Sequence, residues 1–321
     1  MLGSGPAKCG AFPRSLLLAL ALLSAGCVRA GLGLAEDVRR GEGILTDGRS
    51  DGREGGQPAQ DTWVTIAAGA FIMGSVPSEL CRGEADETQH PVTLTHDFVM
   101  QATEVTRGQF QRLMGYDPSQ VAGCTESCPV ETVNWHEAAA YCNALSTGEG
   151  RASCYACTGS GTAVTCGDAP AYGAAEIYHC LGYRLPTEAE RERAYRAGTT
   201  TMLYSGPIAV CTGSDGNADA IGWHSGNSGG TPHPVAQRAA NAWGLYDMAG
   251  NLWEWCHEWY QIDLGSAAVT DPWGVAIGSQ RTVRGGSWRD DLGFMRAANR
   301  SHPEPSDRSD ETGFRCVRTL P

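Results

Sequence analysis

The sequence predicts an α+β domain with little regular secondary structure, a few helices and long ordered loops. Three observations carry that expectation. Glycine contributes 42 of 321 residues and recurs with asparagine, proline and tryptophan in short stretches. Apolar residues make up 41% of the chain, enough for a packed core, so a wholly disordered polymer is excluded. Three helix starts can be placed by their caps, in each of which a capping side chain stands three residues before an acid or amide that can reach back: Thr106 with Gln109, Asn134 with Glu137, and Thr187 with Glu190. No repeat with a period of roughly 20–50 residues is present, which excludes a solenoid or propeller.

Taken in order, residues 1–27 read as a targeting segment. Lys8 and Arg14 precede the apolar run Leu16 to Leu23, which is far shorter than the about 20 residues that cross a bilayer. Ser24, Ala25, Gly26 and Cys27 follow, and the whole resembles a bacterial lipoprotein signal. That resemblance implies lipidation at Cys27 and an extracytoplasmic, lipid-anchored place in the cell envelope. A plain secretory signal with an incidental cysteine is the alternative. Residues 28–60 turn to glycine, arginine and acids, too polar to bury a core, and read as a flexible tether spanning roughly 30 Å.

The domain proper is placed at 61–321. Trp63-Val64-Thr65-Ile66 and Ala70-Phe71-Ile72-Met73 read as short strands around a glycine turn. The first helix presents Phe110, Leu113 and Met114 on one face, and the second presents Ala138, Tyr141, Cys142 and Leu145. Gly148 and Gly198 stand where the second and third helices should stop. From residue 61 onward there are 17 arginines and 30 acids, a net charge of -13, and no lysine follows Lys8. A phosphate-binding nucleic-acid partner is therefore excluded on charge, and Schiff-base and phosphate-loop lysine chemistry on residue type.

Setting aside Cys9 and Cys27, eleven cysteines remain, an odd number that leaves at least one unpaired. Cys154, Cys157, Cys166 and Cys180 crowd an insertion at about 150–181, where a four-cysteine zinc site competes with two disulfides. The single C-x2-C spacing and an oxidising compartment favour disulfides. The histidines show no zinc-enzyme spacing. Gly226 to Gly230, with Ser228 at the centre and His179 imagined as its partner, lacks the surroundings of a protease triad and reads as a glycine loop.

Seven blocks then occur in order: FIMGS (71–75), EVTRGQF (104–110), PVETVNWHEAAAYCNALS (129–146), YRLPTEAE (183–190), NAWGLYDMAGNLWEWC (241–256), RGGSW (284–288) and GFRC (313–316). Together they resemble the formylglycine-generating enzyme, or sulfatase-modifying factor, family across the whole of 61–321. The resemblance implies a variant of the C-type-lectin-like fold, structural Ca2+, and a copper-dependent, oxygen-driven oxidation of a sulfatase cysteine to formylglycine. It also implies a disulfide between Cys142 and Cys316. For calcium it implies Asp247, Gly250, Leu252 and Glu254, two carboxylates and two main-chain carbonyls, with a weaker second set at Asn217, Ala218, Asn227 and Gly229. Hard oxygen donors suit that ion.

The family's two copper-binding thiols fall at Asp290 and Met295 in this chain. A hard carboxylate and a neutral thioether cannot replace two soft thiolates, so copper is not expected and no catalytic residue is assigned. Arg191 and Arg193 stand where an aromatic residue is usual, and read as surface ion pairs with Glu188, Glu190 and Glu192, or else as the lining of an anion groove. Asp290 and Asp291 beside Arg289 are either altered toward a new ligand or a solvated acidic turn. Trp135, Trp243, Trp253, Trp255, Trp259 and Trp288 read mostly as core rather than sugar-stacking surface. The expectation is an extracytoplasmic binding or accessory module for a peptide, protein or glycan, with no nucleic acid. The alternatives are an active formylglycine-generating oxidase and a carbohydrate-binding lectin-like module.

Overall fold

A computed structural model describes residues 61–83 and 86–321; the signal segment, Cys27 and the linker lie outside the described residues. All three expected capping boxes form. Thr106, Asn134 and Thr187 each accept from the backbone N–H three residues on, and Gln109, Glu137 and Glu190 reach back to the cap. They start helices α1 (Arg107–Met114), α2 (Trp135–Gly148) and α3 (Glu188–Arg196). The stops follow the glycines closely. α2 runs to Gly148, and α3 ends where Ala197 turns left-handed just before Gly198. A short fourth helix, α4 (Gly216–Ile221), starts at Asp215 and carries no reciprocal cap, which is why the sequence pattern missed it. Asn134→Ala is expected to lower stability by about 1 kcal/mol, since it strips one cap acceptor, and to shift the urea midpoint without changing the slope.

Strands are short and gathered from distant segments. The strands expected at 63–66 and 70–73 both form, as Trp63–Ile66 and Gly69–Met73, yet they do not pair with each other. The first pairs with Phe98–Gln101, which continues to Val317–Thr319 and Tyr183–Arg184 in one four-stranded sheet. The second pairs with His90–Leu94. Another four-stranded sheet is built on Trp253–Trp259, flanked by Arg281–Arg284 on one side and Thr312–Gly313 on the other. Arg281–Arg284 runs directly into the glycine pair Gly285-Gly286, so this sheet aims the RGGSW turn. In the cysteine-rich insertion, Tyr155–Thr158 and Thr165–Asp168 form a hairpin, stapled by Cys157–Cys166 and tied down by Cys154–Cys180. The insertion is thus disulfide-bonded, as the oxidising-compartment argument favoured.

The interior departs from the expected charge placement. α3 reads EAERERAYR, and Glu188, Glu190, Arg191, Glu192 and Arg196 are all buried. The surface-pair reading of this helix is therefore overturned. Glu190 takes a bidentate contact from Arg184 at 2.7 and 2.8 Å, Glu188 takes one from Arg300 at 2.5 and 2.9 Å, and Glu192 meets Arg196 and Arg284. Planar guanidinium forks match carboxylates in this way, and a chain whose folded basic residues are all arginine can satisfy buried acids repeatedly. Arg193 alone lies toward the surface, donating to the carbonyls of Ala67 and Ala68 with its guanidinium over the Trp243 ring.

Candidate functional site

The RGGSW turn and the residues after it form the place where the family's thiols would lie. Gly285 and Gly286 hold φ values of 108° and 75°, and a Cβ on Gly286 would sit 2.9 Å from the Phe294 carbonyl. Ser287 then closes the turn. Its N–H donates to Asp290 Oδ2 at 2.9 Å, and its hydroxyl lies 2.6 Å from the same oxygen and 2.9 Å from Glu311 Oε2. Trp253 Nε1 donates to Asp290 Oδ2 as well, at 2.7 Å. Asp290 is thus a clamp that locks the turn onto the Trp253–Trp259 strand.

Its partner position is equally committed. Met295 is fully buried at the end of a 3-10 turn, Leu292–Met295, and Tyr195 Oη donates to its carbonyl at 2.5 Å. Neither residue presents a soft ligand to a cavity. Asp291 accepts from Ser225 Oγ at 3.0 Å, while Arg289 pairs with Asp310 and Glu311 and lies over Trp288. The acidic pair is therefore built into the turn and is not a free acidic surface.

The segment 247–254, expected to hold calcium, is arranged around arginine. Glu254 is fully buried and accepts four N–H bonds: from Arg191 at 2.9 and 2.9 Å, and from Arg315 at 2.7 and 2.8 Å. Arg315 Nη2 also donates to the carbonyls of Tyr246 and Asp247, and Arg191 Nη2 to that of Met248. Two guanidiniums thus occupy the carboxylate and the loop that a dication would need, and their charge opposes one. Burial pushes the Glu254 carboxyl up, but Arg191 and Arg315 outweigh it and hold the group below its ordinary range.

Two further acids sit beside it. Asp247 is raised by burial to about 6; its Oδ2 accepts from the Ala236 N–H and its Oδ1 is buried without a partner. Glu104 is pushed well above the usual range by burial and by Asp247 and Glu254, and it accepts from the Leu252 N–H and Asn251 Nδ2. The orphaned Asp247 oxygen alone does not make a cage, so the set Asp247, Gly250, Leu252 and Glu254 does not fit a resident calcium. The weaker set, Asn217, Ala218, Asn227 and Gly229, lies around the short helix α4 and the turn after it. Asn217 and Asn227 turn their amide nitrogens to the Pro207 and Gly222 carbonyls, and Gly229 holds a left-handed turn beyond them. Among the described residues, no group of three or more His, Cys, Asp or Glu is placed to hold a metal ion.

Cys142 and Cys316 are brought together as the resemblance implied, but as two buried free thiols with sulfurs 2.8 Å apart. The expected bond, which needs about 2.05 Å, is not formed in this structure. Burial and the Cys142 neighbour push the Cys316 thiol well up, so it stays protonated. Cys256 is the third free cysteine among the described residues and is raised by burial too. Two bridges that no sequence pattern paired are present, Cys124–Cys128 and Cys81–Cys211. The tryptophans behave mainly as core: Trp135, Trp253, Trp255 and Trp288 are buried, with Trp243 and Trp259 partly so. Ser228 donates to the Trp288 carbonyl and His179 pairs with Glu176, so that pair forms no catalytic unit.

Against the 292–295 turn lies an open pocket of about 320 Å3, lined by Asp291, Gly293, Phe294, Asn299, Thr212 and the Cys81–Cys211 bridge. Phe294 is 45% exposed and packs edge-to-face with Trp253.

Comparison with known proteins agrees with this architecture. The family model described as sulfatase-modifying factor enzyme 1-like domain matches residues 51–320, and the chain belongs to that family. It is 35% identical over 151 residues to a formylglycine-generating enzyme of Thermomonospora curvata, covering 42% of this chain and 49% of the enzyme. It is 29% identical to chaperone protein LppX of Paenibacillus barcinonensis, covering 83% of this chain and 92% of that protein. The chain spans only 23% of the length of a Chlamydia caviae serine/threonine-protein kinase pkn1, to which it is 35% identical over 150 residues. Among solved structures, Treponema denticola variable protein 1 superposes with a TM-score of 0.66 at 31% identity, covering 80% of this chain and 95% of that one. The fold is thus the α+β formylglycine-generating-enzyme fold that the seven blocks implied. Four disulfides suit an oxidising compartment, and no helix among the described residues is long and apolar enough to cross a membrane.

Proposed function

We propose that this chain is a binding or accessory member of its family, without the oxidase centre, that presents the pocket beside Phe294 to a peptide segment of a partner protein. One observation carries the reading: both thiol positions are filled, Asp290 by an acceptor that clamps Ser287 and Trp253, and Met295 by a buried side chain. Dithiolate copper chemistry has no ligands there. The similarity to a protein named a chaperone, over nearly all of that protein's length, favours an accessory role. The chain works outside the cytoplasm, held to the envelope through Cys27, and labelling with a radioactive fatty acid that is lost in Cys27→Ser tests that part.

The function itself is tested by loading the reduced chain with copper(I) and offering it a sulfatase peptide containing the target cysteine. The expected result is no stoichiometric tight copper and no thiol-to-aldehyde mass change, alongside saturable binding of the peptide. One bound copper with the mass change would restore the oxidase reading, and binding of glycans but not peptides would favour the lectin-like one.

A further inference from the structure

The bridge between Cys81 and Cys211 has a setting unlike the other three. In Cys124–Cys128, Cys154–Cys180 and Cys157–Cys166, at least one half is buried, whereas Cys81 and Cys211 are both partly exposed. Cys81 holds φ at 65°, the left-handed region that side-chain-bearing residues other than asparagine and aspartate seldom occupy. Strain of that kind persists where surrounding structure imposes it, and here the cross-link ties Cys81 to a loop 130 residues away.

Both cysteines also line the pocket beside Phe294. Gly293 N donates to the Cys211 carbonyl at 3.2 Å, and a Cβ placed on Gly293 would sit 3.1 Å from Cys81 Cβ, so the bridge packs closely on the turn. Asn299 lines the same pocket, and its Oδ1 is buried without a hydrogen-bond partner.

We propose that Cys81–Cys211 is a redox-active disulfide that captures a thiol-bearing ligand in this pocket by thiol–disulfide exchange. The ligand's thiolate attacks one sulfur of the pair, and the Cys81–Cys211 bond breaks as a bond to the ligand sulfur forms. The other cysteine leaves as a thiolate that takes a proton from water. The disulfide itself is the oxidant, so no further redox partner enters the step. Attack needs an accessible sulfur, and among the described bridges this is the one in which both cysteines are partly exposed. A cysteine-containing peptide would place its side chain at the bridge with its backbone along Phe294 and Asn299, and a small free thiol could react at the same sulfur. This proposal rests on reading the pocket as the binding face.

The test incubates the full chain with a short single-cysteine peptide, with the same peptide carrying serine instead, and with glutathione. Samples are quenched over time with N-ethylmaleimide and mapped without reduction by mass spectrometry. The expected result is an adduct on Cys81 or Cys211 with the other cysteine alkylated, formed at least about ten-fold faster than opening of any other bridge. Phe294→Ala should slow the peptide adduct and leave the glutathione adduct unchanged if the ligand is a peptide; equal effects on both would assign a small thiol. Mapping is done on the wild-type chain, so the test does not depend on the folding of a Cys81→Ser, Cys211→Ser double variant, whose expected loss of adduct is a second check. If another bridge opens first, or all open at one rate, the proposal is overturned. If the serine peptide binds while Cys81–Cys211 stays closed, exchange is refuted and the binding reading stands. Exchange without any serine-peptide binding would keep the exchange and overturn the peptide-binding reading.

Discussion

Arg315→Met is expected to destabilise the domain by about 3–5 kcal/mol, because it leaves the fully buried Glu254 with only one of its two guanidinium partners. The loss reaches further than one pair. The carbonyls of Gln101, Ala102, Tyr246 and Asp247 lose a donor in the same step, and Asp247 and Glu104 lose the cation that offsets their mutual repulsion. Denaturant midpoints for the wild type and variant would measure it. A cost under about 1 kcal/mol, the range of exposed pairs, would show that these charges are solvated and not buried. The same measurement decides the calcium expectation. With two arginines on Glu254, added calcium or a chelator should leave the wild-type midpoint unchanged; a ligand bound only by the folded state would raise it. A calcium-dependent rise would mean that the ion displaces a guanidinium.

This arginine-centred interior is where the sequence was least legible. The helices could be read because their signals are local: Thr106, Asn134 and Thr187 stand three residues from the groups that complete their caps, and each box formed. The fold could be read because seven blocks recur in order. The partners of α3 could not. Glu188 meets Arg300 across 112 positions and Arg191 meets Glu254 across 63, so no window of the chain places donor and acceptor together. Without that knowledge, EAERERAYR reads as a solvated face. The clue lay in composition, since 17 arginines and no lysines after residue 60 is the choice of a chain that buries bidentate ion pairs. The site was legible in one half. That Asp290 and Met295 carry no thiol is plain from the chain, but that Asp290 clamps Trp253, and that a bridge from Cys81 to Cys211 packs on the same turn, depends on contacts far apart in sequence.

Glu258→Gln is expected to stabilise the domain at alkaline pH and to do little near pH 4. Glu258 is buried, and both of its oxygens accept from the single N–H of Glu188, while the carboxylates of Glu188 and Glu190 lie close enough to repel it. Arg300 and Arg284 stand nearby but are engaged by Glu188 and Glu192, and His90 lines the same small cavity. Burial first, and Glu188 second, therefore push the Glu258 carboxyl well above the usual range. A raised carboxyl contributes stability that is fully present below its unfolded value, about 4.3, and that is lost as pH rises through the folded value. Each unit of elevation corresponds to about 1.4 kcal/mol lost by the time the group is ionised. Glutamine copies the protonated form and has no proton to lose, so the variant's advantage should grow from about pH 5 upward and level off once pH passes the folded value of Glu258, read as the difference in melting temperature. Glu188 supplies the opposite limb. Burial raises it, but Arg300 and Arg284 outweigh burial and lower it, so its contribution is present above the unfolded value and fades as pH falls through the folded one. Glu188→Gln should consequently cost most at neutral pH and least in acid. A flat difference between wild type and Glu258→Gln across the range would mean that Glu258 is already ionised in the fold, with Arg300 or Arg284 turned toward it and away from α3.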